Sequence, residues 1–177
     1  MKAILFSGDP IAGASSKLSK GGEGSEVYQP RILVVDDEMV VCESCQRILE
    51  EEGYEIEIAL SGAEALVKIK EKPFDIVITD LKMPGIDGME LLRILRKDYP
   101  DVIVIMITGF STVETAVEAM KLGAFDYIPK PFTPDEVSVV VKKAVEKRSL
   151  LLENLYLRQE LQEKYGFGNI VGKSKKM

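Results

Sequence analysis

Four places in the 177-residue sequence gather side chains able to do chemistry: Asp36-Asp37-Glu38, Asp80, Thr108-Gly109 and Lys130-Pro131. Brought to one site, they would set several carboxylates beside a hydroxyl and an ammonium. Two carboxylates about 5 Å apart at an effective dielectric near 20 repel by roughly 3 kcal/mol, so Asp36, Asp37 and Asp80 in one cleft call for a cation. All-oxygen ligands favour a hard ion, and a shallow site with room for waters favours Mg²⁺ over Ca²⁺. A metal, Lys130 and Thr108 around a carboxylate are what a transferring phosphoryl group needs, because its charge spreads over the equatorial oxygens. A carboxylate can itself accept that group as an acyl phosphate. Asp80 is the best candidate acceptor, with Asp36 and Asp37 free to hold the metal. Each residue also has a plain structural reading: Asp37 as a helix cap, Asp80 as the start of the turn Leu81-Lys82-Met83-Pro84-Gly85, Lys130 as a solvated lysine.

The chemical reading rests on the elements that would position these groups. From Pro30 onward, short apolar runs alternate with amphipathic stretches: Ile32–Val35, Tyr54–Leu60, Ile76–Thr79, Val102–Ile107 and Phe125–Ile128. Several are apolar on both faces, as parallel strands covered by helices must be. Helix starts carry capping-box pairs, Ser61 with Glu64, Asp87 with Glu90, Ser111 with Glu114 and Thr133 with Glu136, the last with Pro134 at the first helical position. With a first helix after Asp37, the pattern predicts an α/β fold with a doubly wound, five-stranded parallel sheet. In the strand order 2-1-3-4-5 the switch point lies between strands one and three, at the edge where ligands bind, which brings Asp36, Asp37 and Asp80 together.

Other chemistries fail on residue type or context. Histidine is absent, which removes His-based metal sites, Ser-His-Asp triads and histidine phosphocarriers. A net charge of −6 offers no footprint for nucleic acid. Cys42-Glu43-Ser44-Cys45 has a C-x-x-C spacing, but no further soft ligands complete a zinc site, and Cys42 falls too late in its helix for a redox pair; both read as helix residues in a reducing compartment. Gly172-Lys173-Ser174 resembles the end of a P-loop, yet its first glycine would have to be Phe167, and the residues upstream read as a charged helix. The longest wholly apolar run, Val102–Ile107, is far too short for a membrane span, so the chain is expected to be cytoplasmic. A flavodoxin-like mononucleotide binder would need a Ser/Thr- and Gly-rich loop where Asp36-Asp37-Glu38 stands. An aspartyl phosphatase would need a D-x-D arrangement on the first strand.

VVDDE, ITDLKMPGIDG, ITG and YIPKPF, in this order and spacing, resemble the receiver domain of two-component response regulators over about residues 31–148. The resemblance implies Asp80 as acceptor of a phosphoryl group from the phosphohistidine of a sensor histidine kinase. It implies Mg²⁺ held by Asp37, Asp80 and the backbone carbonyl of Lys82, with Asp36 acting mainly through water. Thr108 and Lys130 would contact the phosphoryl oxygens, Tyr127 would be the switch aromatic, and Lys130-Pro131 would be cis. Such a domain is a signalling phospho-acceptor and not a classical enzyme. A degenerate receiver serving only for dimerisation is the alternative, opposed by the complete acidic set.

The ends of the chain carry further expectations. Residues 1–29 read as a flexible extension, in which Met1–Phe6 could pair as a strand, and residues 30–148 as the receiver. Along the last helix Val137, Val140, Val141, Ala144, Leu151, Leu152 and Leu155 share one face, while Leu150, Leu157 and Leu161 lie opposite. Residues 149–166 are therefore expected to form a linker helix that pairs with a second copy. Phe167 together with the closing IVGKSKKM resembles the beginning of the AAA+ ATPase module of sigma-54-dependent, NtrC-like activators, so residues 167–177 read as its start. The resemblance implies a downstream ATPase and sigma-54 RNA polymerase as partners, with no DNA binding by this chain.

Overall fold

The computed structural model of the chain describes residues 18–20, 26–109 and 112–173. Two short antiparallel strands come first, β1 (Leu18–Lys20) and β2 (Glu26–Tyr28), with Leu18 opposite Tyr28. They fall inside the stretch expected to be a flexible tail, because its Gly/Ser-rich composition lacks the apolar alternation that signals a strand. The strand considered for Met1–Phe6 lies outside the described residues.

The core follows as β3 (Arg31–Val35), α1 (Met39–Glu51), β4 (Glu55–Ala59), α2 (Gly62–Glu71), β5 (Ile76–Thr79), α3 (Gly88–Asp98), β6 (Ile103–Thr108), α4 (Val113–Lys121), β7 (Asp126–Pro129) and α5 (Pro134–Lys173). The sheet is parallel throughout, in the order β4-β3-β5-β6-β7. This is the 2-1-3-4-5 order expected. Burial accords with it: β5 and β6 are buried at every position, whereas β4 and β7 keep exposed or half-buried positions, as strands at the edges of the sheet can.

One face of the sheet packs on α2, α3 and α4 through Ala65, Ile69, Leu91, Leu92, Leu95 and Ala119. The other packs on α1 and α5 through Cys42, Cys45, Leu49, Val137, Val141 and Ala144. Both cysteines are thus fully buried core residues with free thiols. Burial pushes the Cys42 thiol up to about 11 and the Cys45 thiol up to about 12. The reactive thiolate is scarce at pH 8. Iodoacetamide at that pH is expected to leave the native chain unmodified and to label both cysteines once urea unfolds it. The sign for stability follows: the unfolded thiols ionise first, so this contribution is full below pH 9 and lost as pH rises through the folded values.

The helix starts agree with the sequence in part. Ser61 accepts from the Glu64 backbone N–H, Asp87 from that of Glu90, and Thr133 and Glu136 form a reciprocal pair. The Glu64 carboxylate returns to Leu60 instead of to Ser61. At α4 the cap is Thr112, in a reciprocal box with Thr115, one residue beyond the expected Ser111–Glu114 pair. Ser111 itself lies outside the described residues. The cap of α1 is Glu38, without a side-chain bond, so Asp37 is not spent on capping. At the far end α5 runs past residue 166 to Lys173, through Gly166 and Gly168. Residues 174–177 of the segment expected to open a further module lie outside the described residues.

Candidate functional site

Asp36, Asp37 and Asp80 each present a carboxylate oxygen such that all three lie within 4.8 Å of one another. The topology makes this meeting. Adjacent strands β3 and β5 pair Val35 with Thr79, so the residues that follow them leave the same edge side by side. Asp36 and Asp80 are buried and Asp37 is exposed, giving a shallow acidic pocket with one open side.

One ammonium enters it. Lys130 Nζ lies 2.7 Å from Asp36 Oδ2 and 3.4 Å from Asp80 Oδ2. Burial pulls the Lys130 pKa down, but the hydrogen bond and charge of Asp36, then Asp80, more than offset this and hold it above its ordinary value. Asp36 is also held above the usual carboxylate range: burial outweighs the hydrogen bonds from Lys130 and from the Glu38 backbone N–H, 2.9 Å away, and the Asp80 charge adds to burial. Among the described residues one lysine faces three carboxylates, an arrangement that could hold a further cation.

Thr108 ends β6 fully buried, and its carbonyl accepts the Lys130 backbone N–H at 2.9 Å. Thr79 pairs with Met106, which brings Asp80 and Thr108 off the same edge on neighbouring strands. The Lys130–Pro131 bond is cis. Lys82 stands exposed on the loop two residues after Asp80. Tyr127 lies beside Met106 in the register and packs against the core under α2, α3 and α4. Its hydroxyl is buried without a hydrogen-bond partner, an arrangement that costs about 1–3 kcal/mol.

Two contributors escaped the sequence reading. The Leu81 backbone N–H donates to Asp80 Oδ1 at 2.8 Å and aims the carboxylate. Gly88 packs so closely that an added Cβ would stand 2.0 Å from the Asp80 carbonyl oxygen. Its N–H bonds the Leu81 carbonyl at 2.8 Å, pinning the loop over the site. The Asp87-Gly88 pair was visible in the sequence; the backbone it approaches was not.

Comparison with known proteins bears on this geometry. The family model for the response regulator receiver domain matches residues 32–142. A putative response regulator NtrX-like protein of Rickettsia bellii is 39% identical over 135 residues, which is 75% of this chain and 28% of that protein. The transcriptional regulatory protein ZraR of Salmonella typhimurium is 41% identical over 114 residues, 64% of this chain and 26% of that one. The crystal structure of NtrX from Brucella abortus superposes with a TM-score of 0.69 at 37% identity, covering 73% of this chain and 29% of that one. The chain thus spans under a third of the length of these relatives. With its acidic pocket at the carboxyl edge of a 2-1-3-4-5 sheet, the chain belongs to the response regulator receiver domain family.

Proposed function

We propose that Asp80 accepts a phosphoryl group from the phosphohistidine of a sensor histidine kinase, in a reaction that needs Mg²⁺. The observation that carries this reading is the convergence of Asp36, Asp37 and Asp80 on one point with Lys130 beside them. The donor set fits the ion: carboxylates alone, an excess of negative charge, and an open side for waters. Asp36, Asp37, Asp80 and the Lys82 backbone carbonyl would hold it, and when bound it would neutralise charge on the incoming phosphoryl oxygens. An Asp80 oxygen forms the new P–O bond as the P–N bond to the donor imidazole breaks, and the bonding pair leaves with the imidazole nitrogen. Lys130 meets the developing charge with its ammonium, and Thr108 follows with its hydroxyl. Burial of Asp80 keeps bulk water from its carboxylate.

The consequence would be a two-state switch in which Thr108 and Tyr127 move together. The inward Tyr127 hydroxyl, buried without a partner, supports a side chain with somewhere better to go. The exposed half of α5 supports the output: Leu150, Leu157 and Leu161 stand 65%, 49% and 55% exposed, spaced for a helix that pairs with a second copy. A downstream AAA+ ATPase and sigma-54 RNA polymerase fit the length of the relatives and their naming as response and transcriptional regulators. Free buried thiols suit a reducing cytoplasm, and no described helix is long and apolar enough to cross a membrane.

Light-scattering mass, with and without beryllofluoride as phosphoryl stand-in, tests the switch together with its dimer. A chain truncated after Arg148 is expected to be monomeric throughout, while the full chain changes its monomer–dimer balance on adding beryllofluoride and Mg²⁺. A persistent dimer after truncation would move the interface onto the domain surface, and an unresponsive full chain would remove the coupling.

A further inference from the structure

The exposed half of α5 leaves the domain at the opposite edge of the sheet from the carboxylates, and two consecutive residues hold it there. Arg148, its side chain only 13% exposed, donates from Nε to Asp75 Oδ1 at 3.2 Å and from Nη1 to the Asp101 carbonyl at 3.1 Å. Asp75 is buried immediately before β5, and its Oδ2 accepts the backbone N–H of Arg31, the first residue of β3, at 2.9 Å. Asp101 lies just ahead of β6. Lys147 sets its ammonium 5.2 Å from the centroid of the Phe125 ring, just ahead of β7. Successive helix residues therefore grip the chain where β5, β6 and β7 begin, and Asp75 ties in β3.

Tyr28, the last residue of β2, meets the same hub. Its hydroxyl is buried, and burial first, then the Asp75 carboxylate, push its pKa above the ordinary range while Arg148 opposes them. Arg148 lies about four helical turns along α5 from Pro134, while the acidic pocket sits where β3 and β5 end.

Apolar contacts alone would not fix the helix. Val137, Val141 and Ala144 form one stripe against the sheet, and such contacts are non-directional, so a helix held by them can slide or roll by small amounts. A guanidinium fork on a buried carboxylate and a carbonyl is directional and charge-assisted. We infer that Arg148 and Lys147, held by Asp75, Asp101 and Phe125, act as a fulcrum that sets the direction and rotational phase at which α5 leaves the sheet. The segment after Arg148 then moves with the sheet instead of pivoting about Ala144. These are positioning residues for whatever the helix carries.

The test uses the full chain with nitroxide labels at Glu51→Cys on α1 and Glu153→Cys on α5, diluted with unlabelled chain so that only distances within one molecule are read. The wild-type background is expected to give one narrow distance distribution. Arg148→Met should broaden or shift it and speed amide exchange across residues 145–152 about tenfold. Asp75→Asn should act alike, the double variant should add nothing further, and Arg148→Lys should fall between wild type and Arg148→Met. An unchanged distribution in Arg148→Met, or additive effects in the double variant, would overturn the fulcrum. Should Arg148→Met fail to fold, Arg148→Lys and Lys147→Gln decide by the same readout: unchanged distances in both refute it. These distances are read with no phosphoryl donor present, so their outcome stands apart from the fate of Asp80.

Discussion

Acetyl phosphate with Mg²⁺ is expected to add one phosphoryl group to the intact chain and none to Asp80→Asn. The carboxamide keeps the shape of the side chain but removes the anionic oxygen that forms the acyl phosphate. Loss should reach background, because Asp36 and Asp37 are poorly placed to substitute. Asp36 is committed to Lys130 and the Glu38 N–H, and Asp37 sits on the exposed rim. Intact mass, followed by peptide mapping after borohydride trapping, reads the outcome. The same adduct on Asp80→Asn would transfer the acceptor role to another carboxylate and refute the assignment.

Lys130→Met should produce two separable losses. Phosphoryl transfer from acetyl phosphate should slow about 10²-fold, the scale on which removing one preorganised electrostatic contact acts. In metal-free buffer at pH 7 the variant should also lose about 3 kcal/mol of stability, since the buried Asp36, 2% exposed, would lose the ammonium that partners it 2.7 Å away. The sign of the pH dependence distinguishes this from lost packing. Asp36 already sits above the usual carboxylate range through burial, and without Lys130 it rises further. As pH falls through that raised value the stranded charge takes a proton, so the deficit against wild type should shrink toward acid. Asp36→Asn combined with Lys130→Met should recover much of the loss. Urea unfolding of the four forms settles it; a deficit independent of pH and of Asp36 would mean that the lysine matters through its alkyl chain alone.

Much of the architecture was open to a reader of the sequence because its signals are local. A run such as Ile76–Thr79 announces a strand buried on both faces, and Ser61 or Thr133 followed three residues later by Glu announces a helix start. Where two local signals overlap, the reading slips. Ser111–Glu114 and Thr112–Thr115 both have the spacing of a box, and the fold took the second, a choice made by the loop leaving β6. Likewise α1 begins at Met39 behind Glu38, which gives no side-chain cap, and was located only by its neighbours in the pattern.

Residue types and spacings were enough to establish the α/β class and to single out the carboxylates, hydroxyl and lysine worth watching; they also predicted two faces on the C-terminal helix, of which the first is buried at Val137, Val141 and Ala144 but exposed at Leu151 and Leu155. The periods of strand and helix and the capping geometry reach only three or four residues along the chain, and these features need no more. Tertiary structure alone decided the contacts that span long separations, Lys130 on Asp36 and Arg148 on Asp75, and the closer backbone approach of Gly88 to the Asp80 carbonyl. Those depend on strand order and on the fit of backbones against one another, quantities that emerge only when the whole sheet closes and that no short window of sequence encodes.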